Sequence, residues 1–495
     1  MIILERWLVV LMSGLVLAGC AATPHAAADS SSAALDEFLR ERMDEVRIPG
    51  AAYAVLDRAG VRHAGTFGTD GSGERVTSAT PFLWGSVAKP VTARLVLDMA
   101  SADELQLDAP VTTYLPSLRM ADAGSDRSAA RITLRQLLTH TSGLPTSTHH
   151  TDRGDANRRP GDVVPELAEE ALITEPGTAH HYSSTNYLLL AAVVEAVTGR
   201  PFTDVLTERV LDPLGMRTTI TTPASSPPPG HRYFFGHPFP FTTPFDPAGV
   251  AYGYLGGALG DLAAFARASL TDSPQVDDAV PTGSGRTYGL GWRQWTVEGT
   301  DIPMVWHGGA TPGYFAQIIL LPEHAIVLTA NAYGTFTEPA LLDLGFQLAA
   351  RTLNHETSTT PADYTYPAIL AALMALAALG ITALVRSIRL LIHPITAPHR
   401  RVLVNLLTWL FALGTILIGF GIALPRSLGI ELTQLTLWAP DVAGLVFTIL
   451  AVATVLLLLR SALCIRALTS NRTDGPTDAE RCDQPPSARD ARHRD

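Results

Sequence analysis

The sequence predicts an α/β domain, a largely antiparallel sheet flanked by helices with an inserted helical lobe, followed by three C-terminal transmembrane helices. Two observations carry this expectation. Strand patterning occurs at both ends of residues 34–352, with helical patterning between. Three apolar stretches of about twenty residues with almost no charge then follow in close succession, each long enough to cross a bilayer as a helix.

From the N-terminus, the run Trp7 to Leu17 behind Arg6 has the length of a signal-peptide apolar region and ends in Leu17-Ala18-Gly19-Cys20. Residues 21–33, rich in Ala and Ser, read as a tether. Residues 34–45 place Leu35, Phe38, Leu39 and Met43 at helical spacing. Ala51–Leu56 and Val61–Phe67 read as strands joined by a turn at Asp57 to Gly60, and Ser86–Ala100 as a helix. The stretch from Leu105 to about Leu214 reads as largely helical with long polar loops. Strand character returns at Met304–Trp306, Tyr314–Leu321 and Ile326–Ala330, and residues 338–352 form a last helix. A linker is expected over 353–365, then spans at 366–385, 403–424 and 438–459, and a cytoplasmic tail over 460–495 that is polar after Arg472.

Loop charges orient the spans. Residues 386–401 carry Arg386, Arg389, Arg400 and Arg401 with no acid, so this loop is expected to be cytoplasmic. Residues 425–437 hold only Arg426 against Glu431, as an external loop should. Arg460, Arg466 and Arg472 place the tail inside again. The expected location is a bacterial cell membrane, with residues 21–365 outside the cytoplasm and membrane lipid as a partner. These residues hold 23 basic and 38 acidic side chains, a poor footprint for nucleic acid. No span carries an internal charge that would mark a transport path.

Of 36 Lys and Arg residues, a single one, Lys89, is lysine. Arginine stays protonated, whereas a desolvated lysine becomes a neutral base. A lysine kept amid so many arginines suggests a task arginine cannot perform. Ser86-Val87-Ala88-Lys89 sets hydroxyl and amine three apart at a helix start, on one face of the first turn. The helix N-terminus favours developing negative charge there and disfavours a protonated amine. No Cys/His spacing suggests a zinc site, His149-His150 and His180-His181 fit no metal template, and no cofactor or metal is expected. Cys20, Cys464 and Cys482 all lie outside the main folded region.

Several segments together resemble the class C β-lactamase and DD-peptidase-like serine hydrolases. Phe82-Leu-Trp-Gly85-Ser86-Val-Ala-Lys89 is similar to the family's nucleophile motif, and Ile132-Thr-Leu-Arg-Gln-Leu-Leu-Thr-His-Thr-Ser-Gly-Leu-Pro145 to its most recognisable stretch. Tyr182-Ser-Ser-Thr-Asn-Tyr187 resembles its tyrosine motif and Pro213-Leu-Gly-Met216 the turn after it. Tyr288-Gly-Leu-Gly-Trp292 and His307-Gly-Gly-Ala-Thr-Pro-Gly-Tyr314 look like its closing segments. The likeness covers roughly residues 34–350, in order. Leu17-Ala-Gly-Cys20 resembles the bacterial lipobox, which implies a lipidated Cys20.

The resemblance implies an acyl-enzyme on Ser86, with Lys89 and Tyr182 sharing proton handling in an order the sequence leaves open. It implies an oxyanion hole from the backbone amides of Ser86 and Ala310. His307 would support a substrate carboxylate or the proton network, and Ser184, Gly308 and Gly309 would meet substrate. His140 reads as structural. One departure stands out: Ser184 occupies the place of the family's usual Asn, offering one hydroxyl instead of an amide. Three spans and Ser184 are shared with a branch of membrane peptidases that mature nonribosomal-peptide prodrugs by removing an acyl-D-amino-acid piece. Leu83, however, stands where that branch has an acid. The expected substrates are small molecules or peptides, cell-wall-derived ones included: D-amino-acid peptides, β-lactams and small esters, in that order. A non-hydrolytic penicillin binder or sensor with this fold is the rival reading.

Overall fold

The structure is a computed structural model and describes residues 32–121, 129–146, 149–273, 278–283, 285–355, 364–392 and 398–473. Cys20 and the leader, the tether up to residue 31, most of the 353–365 linker and the tail beyond residue 473 lie outside the described residues. The chain divides into two compact units: one reaches to Tyr366 and includes Leu428–Asp441, and the other comprises Pro367–Ser427 and the chain from Val442.

The first unit is built on eight antiparallel strands. In chain order they are β1 (Gly50–Asp57), β2 (Gly60–Gly68), β3 (Val280–Gly283), β4 (Arg286–Gly289), β5 (Trp292–Thr296), β6 (Pro303–Thr311), β7 (Tyr314–Leu320) and β8 (Ala325–Ala330). Their order across the sheet is β2-β1-β8-β7-β6-β5-β4-β3. The N-terminal hairpin therefore closes onto the C-terminal meander, through pairs such as Tyr53 with Leu328. Successive side chains of a strand point to opposite faces, and the central strands feed two cores. Ala52, Ala54 and Leu56 join one with Ala316, Ile318 and Val327. Ala51, Tyr53 and Val55 join the other with Phe315, Ile319 and Leu328. Every residue of β7 and β8 is buried, Gln317 and Thr329 included, which explains their largely apolar composition.

Helices α1 (Ser32–Val46) and α5 (Glu338–Thr352) cover the second core. Leu35, Phe38, Leu39 and Met43 are the buried stripe of α1. The first core takes the lobe: α2 (Ala88–Ser101), α3 (Ser184–Thr198) and α4 (Leu259–Asp272), with short helical turns between. Much of residues 105–183 is loop and single turns rather than long helix. Strands β3 to β5 were not legible from the sequence, because Pro281, Gly283 and Gly289 interrupt the pattern. The hairpin Gly230–Phe234/His237–Phe241 was equally hidden, since Pro238 and Pro240 argue against a strand. It forms the edge of a small sheet in which a proline costs no ladder bond.

The second unit consists of apolar helices. Three segments are long and apolar enough to cross a membrane: Thr365–Arg389, His399–Leu428 and Pro440–Thr469, with mean hydropathies of 2.5, 2.1 and 2.8. Leu413, Ala453 and Leu456 pack together inside the unit, while Leu379, Phe411 and Leu458 are exposed. Three expected boundaries shift. Trp438 ends a separate short helix, Leu432–Trp438, and the last long helix begins at Pro440. That helix runs on to Thr473, so residues 460–473 of the expected tail are helical. The helix α1 likewise begins at Ser32, inside the expected tether.

Candidate active site

Ser86 sits in a single 3-10 turn, Gly85–Val87, that leads into α2. Gly85 has a φ of 55°, and a Cβ there would lie 2.1 Å from the amide nitrogen of Ala310. A Cβ on Gly309 would meet the carbonyl oxygen of Trp84 at 2.1 Å and the amide nitrogen of Ser86 at 2.4 Å. Glycine at both positions lets β6 lie directly on the serine turn. The backbone of Ser86 and that of Ala310 thus come together. Gly308 and Gly309 are not among the residues lining the cavity here; Gly309 serves the close approach.

Lys89, one turn on, is fully buried. Its Nζ lies 3.0 Å from Ser86 Oγ, 3.1 Å from Ser184 Oγ and 2.9 Å from the carbonyl oxygen of Tyr252. The rings of Tyr182, Tyr187 and Tyr252 surround it at 5.0 to 5.7 Å. Burial, reinforced by Arg293, holds the amine well below the ordinary lysine range, against a pull upward from Asp152. A neutral amine has a lone pair to accept the Ser86 proton while donating to Tyr252 and Ser184.

Tyr182 enters from the segment preceding α3. Burial pushes its hydroxyl up to about 12, while Arg293 and hydrogen bonding to Ser86 act in the other direction. His140 braces this segment, with a φ of 56° and a ring 4.3 Å from that of Tyr182. Its Nδ1 accepts from the Ser183 amide at 3.2 Å and from Asn186 at 2.9 Å. It is fully buried and does not line the cavity beside Ser86. His307 is fully buried and does not line the cavity. Its Nε2 is 3.3 Å from the Tyr288 hydroxyl and its Nδ1 2.7 Å from the Gly308 carbonyl. Burial first, then the Arg293 charge, hold it well below the usual histidine range.

Beside Ser86 opens a cavity of about 210 Å³, lined among others by Tyr182, Ser184, Ala310, Asp152 and Trp438. Three residues here escaped the sequence reading. Arg293 on β5 holds its guanidinium carbon 5.1 Å from the Tyr182 ring; it directly follows the Tyr288-to-Trp292 segment, a signal that could have drawn attention to it. Asp152 lies in a polar loop without distinguishing pattern. Trp438 belongs to the Leu428–Asp441 segment, which is part of the first unit. Gln434 donates to the Thr151 carbonyl at 3.0 Å, and Arg232 to those of Thr436 and Leu437 at 2.8 and 3.2 Å. Leu83, in contrast, is buried in a short strand away from the cavity. Among the described residues no group of three or more His, Cys, Asp or Glu could hold a metal ion. His150 instead contacts Glu166 and Glu170 at 3.0 and 3.1 Å.

A buried amine, a serine and a tyrosine converging at a cavity is an arrangement for acyl transfer. The beta-lactamase family model matches residues 35–350. The chain belongs to this family of serine hydrolases. It is 30% identical over 347 residues to penicillin-binding protein 4 of Amycolatopsis lactamdurans, an alignment covering 62% of this chain and 87% of that protein. Its structure is similar to a D-stereospecific amidohydrolase from Streptomyces sp., with a TM-score of 0.51 and 26% identity over 60% of this chain and 94% of the other. The octameric penicillin-binding protein homologue from Pyrococcus abyssi shares the fold, with a TM-score of 0.56 and 21% identity, covering 65% and 77% of the two chains.

Proposed function

We propose that this chain is a membrane-anchored serine hydrolase that forms an acyl-enzyme on Ser86 and acts outside the cytoplasm on D-amino-acid peptides or amides. The observation that carries the reading is the buried amine of Lys89 within 3.0 Å of Ser86 Oγ. The neutral amine takes the hydroxyl proton as Oγ bonds to the substrate carbonyl carbon. The negative charge that develops on the carbonyl oxygen is met by the backbone N–H groups of Ser86 and Ala310. Tyr182, protonated at neutral pH, gives its proton to the leaving nitrogen as the C–N bond breaks, and recovers one from the Lys89 ammonium. Water then attacks the ester by the reverse proton path, releasing the acid and restoring Ser86. His307 orders Tyr288 and β6 from behind.

The kinship to a penicillin-binding protein and a D-stereospecific amidohydrolase supports the substrate class. Cleavage of an acyl-D-amino-acid group from a prodrug peptide is a narrower form of the same chemistry. The three apolar helices and the arginine-rich loop support anchoring in a bacterial membrane with an external catalytic unit. The test is labelling of the full-length protein with a fluorophosphonate and a fluorescent penicillin, alongside Ser86→Ala. Labelling of the parent and none of the variant is expected, with turnover of a D-amino-acid amide. Equal labelling of both proteins would refute the assignment, and acylation without turnover of any substrate would favour a penicillin-binding sensor.

A further inference from the structure

We propose that Asp152, backed by Trp438, forms a subsite for a protonated amine next to Ser86, so that the preferred substrates carry a free α-ammonium on their N-terminal D-residue. This rests on the acyl-enzyme reading of Ser86. Asp152 is the only formally charged side chain among the described residues that line the cavity. Its Oδ1 accepts from the Tyr254 hydroxyl at 3.0 Å, and its own amide donates to the Tyr252 hydroxyl at 2.8 Å. These bonds, at a backbone φ of 57°, fix the carboxyl group at the cavity wall.

The nearby acid Asp246 is differently provided for. It accepts from the Tyr252 hydroxyl at 2.7 Å and has Arg158 at 4.0 Å. Asp152 has no ion pair among the described residues. Its charge is instead disfavoured: burial pushes the carboxyl up to about 6, against the Tyr254 hydrogen bond, and Asp246 adds to the rise. The indole N–H of Trp438 is buried beside it without a partner at normal hydrogen-bond geometry. A half-open carboxylate with an unmet charge and a desolvated aromatic wall is complementary to an alkylammonium. A substrate carboxylate in the same place would meet repulsion. An α-amine with a pKa near 8 is protonated where Asp152 is ionised, so both charges coexist around neutral pH (roughly 7.7–8.0 for the amine).

The subsite joins distant parts of the chain. Asp152 comes from the lobe, and Trp438 from the segment between the second and third apolar helices. Gln434 ties the two by its bond to the Thr151 carbonyl. Trp438 is held from behind by Tyr333, ring to ring at 5.5 Å, and by its carbonyl, which accepts from Thr335 at 3.3 Å.

The experiment uses the full-length protein and two substrates that differ only in the amine, D-alanine p-nitroanilide and propionyl p-nitroanilide. The ratio of their kcat/KM values measures the subsite and cancels any general effect on Lys89 or the fold. In the parent the amine substrate is expected to be preferred at least tenfold. Asp152→Asn should collapse that ratio to near one, and Asp152→Glu should restore part of it. A ratio that is unchanged in Asp152→Asn, including an equal loss on both substrates, overturns the subsite. Fluorophosphonate labelling of the parent separates the two levels of the argument. Labelling without preference for the amine rejects the subsite alone, whereas no labelling rejects the hydrolase reading beneath it.

Discussion

Ser184 Oγ lies 3.1 Å from Lys89 Nζ, which is also 3.0 Å from Ser86 Oγ. The residue expected to meet substrate thus also orients the base. One such hydrogen bond contributes about 0.5–1.5 kcal/mol. Ser184→Ala should slow acylation of Ser86 by roughly three- to tenfold, since about 1.4 kcal/mol is a factor of ten. The measurement is the labelling rate with a fluorophosphonate. A rate equal to the parent's would show that Ser184 does not position the amine.

Lys89→Arg should abolish acylation while leaving the fold intact. Arginine keeps the positive charge but cannot become a neutral amine in this site. Loss of a positioned general base costs on the order of a hundredfold to ten-thousandfold. The rate of active-site labelling, with circular dichroism as the folding control, checks this. An arginine variant within about threefold of the parent would move the activation of Ser86 elsewhere.

The same lysine should reduce stability. Its folded-state pKa is held well below the 10.5 of an unfolded lysine, chiefly by burial. Between those two values the unfolded chain binds a proton that the folded chain sheds, so stability rises with pH across that window. Lys89→Met replaces the amine by an apolar chain of similar length. It should raise Tm near neutral pH by a few degrees, on the order of 2–4 °C per kcal/mol. The gain should shrink as pH approaches and passes 10.5. Thermal melts at pH 7 and pH 10 test both statements, and a gain that grows with pH contradicts them.

Arg232 holds the segment that carries Trp438 without entering the cavity, through the carbonyls of Thr436 and Leu437. Arg232→Ala should raise KM several-fold for substrates that reach Trp438 and leave kcat close to the parent's. Steady-state kinetics on D-alanine p-nitroanilide separates the two constants. A fall confined to kcat would mean that the segment influences the chemistry rather than binding.

The arginines at 386, 389, 400 and 401 set an expected orientation for the three apolar helices. A reporter fused after Arg472 should behave as cytoplasmic, and one fused near residue 360 as exported. Both reporters on one side would remove a span and overturn the topology. Cys20→Ser should end lipid labelling yet leave the protein in the membrane fraction.

The sequence by itself determined what depends on near neighbours along the chain. Ser86 and Lys89 are three residues apart at a helix start, so their meeting follows from helical geometry alone. The mostly apolar strands β7 and β8 and the three long apolar helices likewise announce themselves, because their composition is legible within a short stretch of chain. Only the tertiary structure decided the rest. Ser184 reaches Lys89 across 95 residues of chain, and Arg293 reaches Tyr182 through the pairing of β5 with β6. Trp438 looked like the start of a membrane span because its neighbours are apolar, yet it meets Asp152 in the catalytic unit. That burial holds the lone lysine's amine well below its ordinary range is also a tertiary fact. Tyr182, Tyr187 and Tyr252 enclose it, and no local pattern brings those three together.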